Sequence, residues 1–206
     1  MDIFERVNSG VPLTRQQMRN ALYSGPATIW LKDAAQGYQF RTSTGGGLDP
    51  KTMRDREAIN RFCGFFLLNW KNYKGDMDTF LADTLKHMNS LAGNTLVDLR
   101  KIFDSSMKIN RDLFGIHAFR KSLANTSSRR QVLNIALFDV ASVLLGRHGF
   151  ALLTHSNGND RVRQTMTRLL GDQIFSKAIT YSTNSTQAVL TRFGLAEIAI
   201  QESLRP

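Results

Sequence analysis

An all-α fold is predicted, and three observations carry it. Apolar residues recur at spacings of three and four through most of the chain, no alternating run exceeds four or five residues, and capping residues and glycines fall where helices should start and stop. With 206 residues, 42% of them apolar, the chain can bury a sizeable core.

The elements follow in order. Thr14-x-x-Gln17 after Pro12 is a capping-box signature, so a helix is predicted from about Arg15 to Tyr23, ended by Ser24-Gly25-Pro26. A short helix through Trp30 and Leu31 comes next. From Gly37 to Leu48 the helical period fails and Gly45-Gly46-Gly47 appears, which predicts a flexible loop or domain linker. A phosphate loop would need a Gly-Lys-Ser/Thr run leading into a helix, and the chain has none.

Asp49-Pro50 supplies a cap and a first-position proline for a helix carrying Ala58, Ile59, Phe62, Phe65 and Phe66 on one face. Asp76 opens another, striped by Phe80, Leu81, Leu85 and Met88, and a third after Gly93 is striped by Leu96, Leu99, Phe103 and Met107. The run from Val132 to Leu145 is apolar nearly all round and predicts a central helix, entered through Asn125 to Ser128 and closed by Gly146 and Gly149. A basic amphipathic helix with Val162, Met166, Leu169 and Leu170 follows. Asn184-x-x-Gln187 caps a last one through Val189, Phe193, Ala196 and Ile200. Phe150 to Thr154 and Ile179 to Ser182 are the strand candidates.

Lys and Arg number 27 against 17 Asp and Glu, an excess of ten that favours polyanionic partners. The basic residues form short clusters, among them Arg15/Arg19, Arg54/Arg56/Arg61, Arg120/Lys121, Arg129/Arg130 and Arg161/Arg163/Arg168. No stretch approaches the roughly 20 apolar residues of a membrane helix, and the start lacks the order of a signal peptide. A cytoplasmic protein with no membrane association is expected. The single cysteine, Cys63, lies within an apolar helical face and reads as a packed thiol.

No catalytic constellation is complete. His148 and His155, with Asn157, Asn159 and Asp160, come nearest to a metal or nuclease cluster, but the spacing matches neither a zinc pair nor a histidine nuclease motif. No cofactor and no metal are expected. The set from Arg54 to Arg61 heads a helix, where Asp55 and Glu57 suit the positive end of the dipole; it reads as an ion-pair network to a neighbouring helix or as an anion contact.

The opening Phe4-Glu5-Arg6-Val7-Asn8, followed by Pro12-Leu13-Thr14-Arg15-Gln16-Gln17-Met18-Arg19-Asn20, resembles the Phe-x-x-x-Asn segment of the GmrSD-type, ParB-like family of restriction-associated proteins. The likeness continues through Arg54-Asp55-Arg56-Glu57, Asn60-Arg61-Phe62, Tyr73-x-Gly75-x-Met77, His117-Ala118-Phe119-Arg120-Lys121 and Leu133-Asn134-x-Ala136-Leu137-Phe138-Asp139. Members of that family carry an upstream sulfiredoxin-fold domain with an Asp-Gly-Gln-Gln-Arg-type nucleotide motif, and some add a histidine-asparagine nuclease domain; the full-length proteins resemble NTP-dependent restriction endonucleases. This chain has neither piece, so the resemblance implies the downstream part of a longer protein. It further implies that residues 1–48 hold the end of a ParB-like domain plus a linker, and that 49–206 form a helical bundle. Phe4, Arg6 and Asn8 would belong to the nucleotide-handling face.

The expected role is a non-catalytic, nucleic-acid-associated or regulatory part of a restriction-type phage-defence protein. Arg15, Arg19, Arg54, Arg56, Arg61, Arg120, Lys121, Arg161, Arg163 and Arg168 are the candidate nucleic-acid or anion contacts. The alternatives are a protein-interaction module, joined to its nucleotide-handling half or to a second copy of itself, and a small metal-dependent nuclease.

Overall fold

The computed structural model describes residues 10, 12–125, 129–154 and 158–204, and of residues 150–154 the backbone alone. The described residues are all-helical and contain no strand. The helices are α1 (Arg15–Leu22), α2 (Pro26–Gln36), α3 (Tyr38–Thr44), α4 (Arg54–Gly64), α5 (Met77–Ser90), α6 (Gly93–Phe114), α7 (Ile135–Thr154), α8 (Gly158–Gly171), α9 (Gln173–Ala178) and α10 (Thr186–Ser203). Among the described residues no helix is long and apolar enough to cross a membrane.

The apolar stripes meet in one core, as their spacing requires. Phe62, Phe80, Leu85, Phe103, Met107, Leu137 and Leu144 are buried together, with Phe66 packed against them. Helix α7 lies at the centre and touches α4, α6, α8 and α10. Rings join the elements: Phe103 of α6 sits 5.0 Å from Phe62 of α4 and 5.9 Å from Phe40 of α3, while Phe138 of α7 sits 4.8 Å from Phe119. Trp30 of α2 is anchored at its polar end, where Nε1 donates to the Leu96 carbonyl at 2.9 Å.

Several boundaries depart from expectation, each for a local reason. The segment after Gly37 is helical as α3 because Phe40 is buried among Phe103 and Phe138. Burying a phenylalanine is worth about 1.5–3 kcal/mol, which outweighs the weak helix propensity of the Thr and Ser around it. The triple glycine is not a loose linker. Gly45 and Gly46 adopt left-handed φ of 60° and 66°, the Gly46 and Gly47 amides bond back to Arg41 and Thr44, and residues on both sides of the turn share the one core.

Asp49-Pro50 closes a turn before α4. The Asp49 carboxylate accepts from the Lys51 amide at 2.9 Å and the Thr52 hydroxyl at 2.8 Å, and the helix begins at Arg54. The central helix starts at Ile135 instead of Val132, capped by Asn134, whose Oδ1 accepts the Leu137 amide at 2.8 Å. It also runs past Gly146 and Gly149 to Thr154, so Phe150 to Thr154 is not a strand. Those glycines permit close packing: a Cβ on Gly149 would lie 2.8 Å from Ile109 Cδ1. Ile179 to Ser182 is a turn, and the cap of α10 is Ser185, whose hydroxyl accepts the Ala188 amide at 3.1 Å, where Asn184 was expected.

Candidate nucleic-acid interface

Several of the arginines singled out by sequence are occupied inside the fold. Arg61 donates to Asp139 through Nε at 2.9 Å and a terminal nitrogen at 2.5 Å, and Arg192 donates to the same carboxylate at 2.9 Å. All three groups are buried. The second positive charge is spread over the Asn184 side chain, the Thr183 carbonyl and the rings of Phe65 and Phe193. Burial pulls Arg192 down to about 10, which still leaves it protonated at neutral pH. The cluster ties α4 and α7 to α10, so the ion-pair reading of the Arg54 to Arg61 set describes Arg61.

On α1, Arg19 is buried between Asp78 at 2.5 Å, Glu57 at 3.5 Å and Gln16, and Arg15 pairs with Asp78. Arg54 is exposed at the start of α4, and Arg56 is half-buried over Met53. Arg161, Arg163 and Arg168 are exposed on α8. There Arg163 bonds Asp160 and the Leu113 carbonyl, while Arg161 and Arg168 face Asp172 and Glu202 across a groove toward α10. Acid and base balance in that groove.

The charge excess collects elsewhere. Residues 34–48 and 113–138 contain no Asp or Glu, and the fold lays these two stretches against each other. Arg120 reaches from one to the other, donating to Ala118 O at 2.7 Å and Thr44 O at 2.5 Å. Arg130 donates to Gly45 O at 3.3 Å, and Arg111, from the last turn of α6, donates to Thr42 O at 2.5 Å. Arg41 stands exposed on α3, Arg129 lies beside Arg130, and half-buried Lys121 bonds the Thr180 hydroxyl at 2.5 Å.

No carboxylate among the described residues pairs with Arg41, Arg111, Arg120 or Arg130. The C-terminal carbonyls of α3 offer about half a negative charge, against four full positive ones. Burial, with Arg130 beside it, lowers Arg120 to about 10, where it remains charged near neutrality. The result is a surface that attracts anions, edged by exposed Tyr38 and an open cavity of about 460 Å³ lined by Gln36, Tyr38, Arg41, Thr42 and Gly46. Of the sequence candidates, Arg120 and Lys121 fall in this region, Arg120 buried and bonded to two carbonyls and Lys121 half-buried. Arg41, Arg111, Arg129 and Arg130 were not named as contacts, although the two acid-free stretches were visible in the sequence.

Phe4, Arg6 and Asn8 lie outside the described residues, as do His155 and Asn157. Among the described residues no three His, Cys, Asp or Glu side chains gather as metal ligands. Cys63 is buried, and burial pushes its thiol well above the ordinary range. Comparisons of the chain with protein-family models, with curated proteins and with solved structures give no significant match.

Proposed function

We propose that this chain is the non-catalytic, nucleic-acid-associated helical part of a restriction-type, ParB-like defence protein. The observation that carries the nucleic-acid reading is the face built from residues 34–48 and 113–138 with Arg111 at its edge, where Arg41, Arg111, Arg120 and Arg130 pair with no carboxylate among the described residues. Polyanion backbones are bound by such surfaces through phosphate neutralisation and counterion release. The family part of the reading rests on the motif resemblance between Phe4 and Asp139.

Fluorescence anisotropy with a labelled 20-base-pair duplex at low salt tests it. The triple variant Arg41→Ala/Arg129→Ala/Arg130→Ala removes three exposed charges and one surface bond to the Gly45 carbonyl, and it should weaken binding about tenfold or more. Arg161→Ala/Arg168→Ala, on the balanced groove, should change it about twofold at most. Equal losses in the two variants, or no binding by the parent protein to this duplex or to a single strand of the same length, would overturn the reading.

A second reading, a protein-interaction module, is favoured by α1. That helix turns Gln16, Gln17 and Arg19 inward and leaves Met18 and Leu22 exposed, with Ile29 of α2 also exposed. An apolar face turned outward is a partner-contact signature. Sedimentation analysis distinguishes a self-associating chain from a monomer, and Met18→Ser/Leu22→Ser should abolish any association through this face.

A further inference from the structure

We infer that the cavity beside Tyr38 accepts an unpaired nucleotide, so that this chain prefers single-stranded over duplex nucleic acid. The inference rests on the nucleic-acid reading above and adds to it the form of the strand. Tyr38, the first residue of α3, is 76% exposed and borders the open cavity of about 460 Å³ with Arg41, Gln36 and Gly46.

Four of the five lining residues suit a nucleotide, and the fifth, Thr42, spends its hydroxyl on the Tyr38 and Gln39 carbonyls. The tyrosine ring offers a stacking platform to any base, because every base presents a π-face. One helical turn on, Arg41 is exposed and has no carboxylate partner among the described residues, so it suits a phosphate. The Gln36 amide can donate to and accept from a base edge. Gly46, also lining the cavity, has a φ of 66° and nothing within 4 Å of where a Cβ would stand, so a planar group can approach its backbone closely. Bases in a duplex are stacked on one another and cannot reach such a ring; bases in an unpaired strand can.

The surroundings support a strand longer than one nucleotide. Arg111, at the edge of the acid-free face, holds the Thr42 carbonyl at the cavity wall and Arg130 holds Gly45 at the adjoining turn, so positive charge continues from the cavity onto that face. The combination of an exposed aromatic ring and a positively charged track is the arrangement by which single strands are bound without sequence preference.

The test compares a labelled 20-nucleotide oligothymidylate with a 20-base-pair duplex by anisotropy, using the parent protein, Tyr38→Ala, Tyr38→Phe and the triple arginine variant. Tyr38→Ala should weaken oligothymidylate binding about tenfold and duplex binding less than about threefold, with Tyr38→Phe retaining parent affinity. The arginine variant should weaken both ligands. If Tyr38→Ala weakens neither ligand, or both equally, while the arginine variant weakens both, the stacking inference fails and the basic face stands. If the parent binds neither ligand, the nucleic-acid reading fails and this inference with it. Unchanged thermal unfolding of Tyr38→Ala, expected from the exposure of the ring, keeps loss of fold out of the comparison.

Discussion

Asp139 stands between two buried guanidiniums, and its removal would leave both without a counter-ion. Breaking a buried ion cluster in this way costs about 3–5 kcal/mol, because the uncompensated charges remain in the interior. Asp139→Ala should therefore lower stability by that order in urea unfolding, while Arg54→Ala, on an exposed side chain, should lower it by less than about 0.5 kcal/mol. His148 supplies a pH dependence. Burial lowers its pKa below 6.5 against the opposing pull of Glu197 and with the help of Arg147. The folded state thus favours the neutral ring, the unfolded chain takes up more protons, and stability falls as pH drops through about 6.5. Comparing unfolding midpoints at pH 7.5 and 5.5 checks this, and His148→Gln should reduce the difference between them. Residue types were legible in the sequence, but their partners were not. Arg19, Arg61 and Arg120 look like surface cations by composition, yet they contact Asp78, Asp139 and Thr44 across sequence separations of 59, 78 and 76 residues.

At the scale of elements, period and capping were read correctly where a helix has a clean apolar stripe. Helices α1 and α5 start where their caps predict, because Thr14 and Asp76 bond the first-turn amides as a lone sequence suggests, and α6 starts at Gly93 without a side-chain cap. The departures fall where glycine suggests a stop, at α3 and α7, or where proline suggests a start, at Pro50, four residues before α4 begins. Helix α3 has a short, Thr- and Ser-rich sequence whose helicity depends on Phe40 reaching a distant core, and α7 keeps going through glycines that exist for packing. Gly64 shows the same device at the α4–α5 contact. A Cβ there would lie 2.6 Å from Phe80 Cε1 and 2.7 Å from Thr84 Oγ1, and both neighbours are buried. Gly64→Ala should destabilise by about 1–3 kcal/mol through overpacking, despite alanine's higher helix propensity. Chemical denaturation measures the net sign, and stabilisation would mean that Phe80 can move aside.

Over the whole molecule, one core joins the helices on either side of the triple glycine, and the net charge of +10 is distributed unevenly around it. Helix α1 is the exception to apolar packing, since it meets the rest of the protein largely through Gln16, Gln17 and Arg19. Hydrogen exchange should therefore show lower protection over residues 15–22 than over 136–145, which are buried in the centre. The all-α class was legible from periodicity alone, whereas the basic face needed the tertiary fold that sets residues 34–48 against 113–138. The central claim is that this face neutralises phosphates. Its most direct test is the slope of log affinity against log salt concentration for oligothymidylate. Engagement of the exposed Arg41, Arg111, Arg129 and Arg130 predicts a slope of about −3, at roughly −0.7 per phosphate for a single strand, shrinking to about −1 in the triple arginine variant. A parent slope near zero, or one unchanged in the variant, would contradict it.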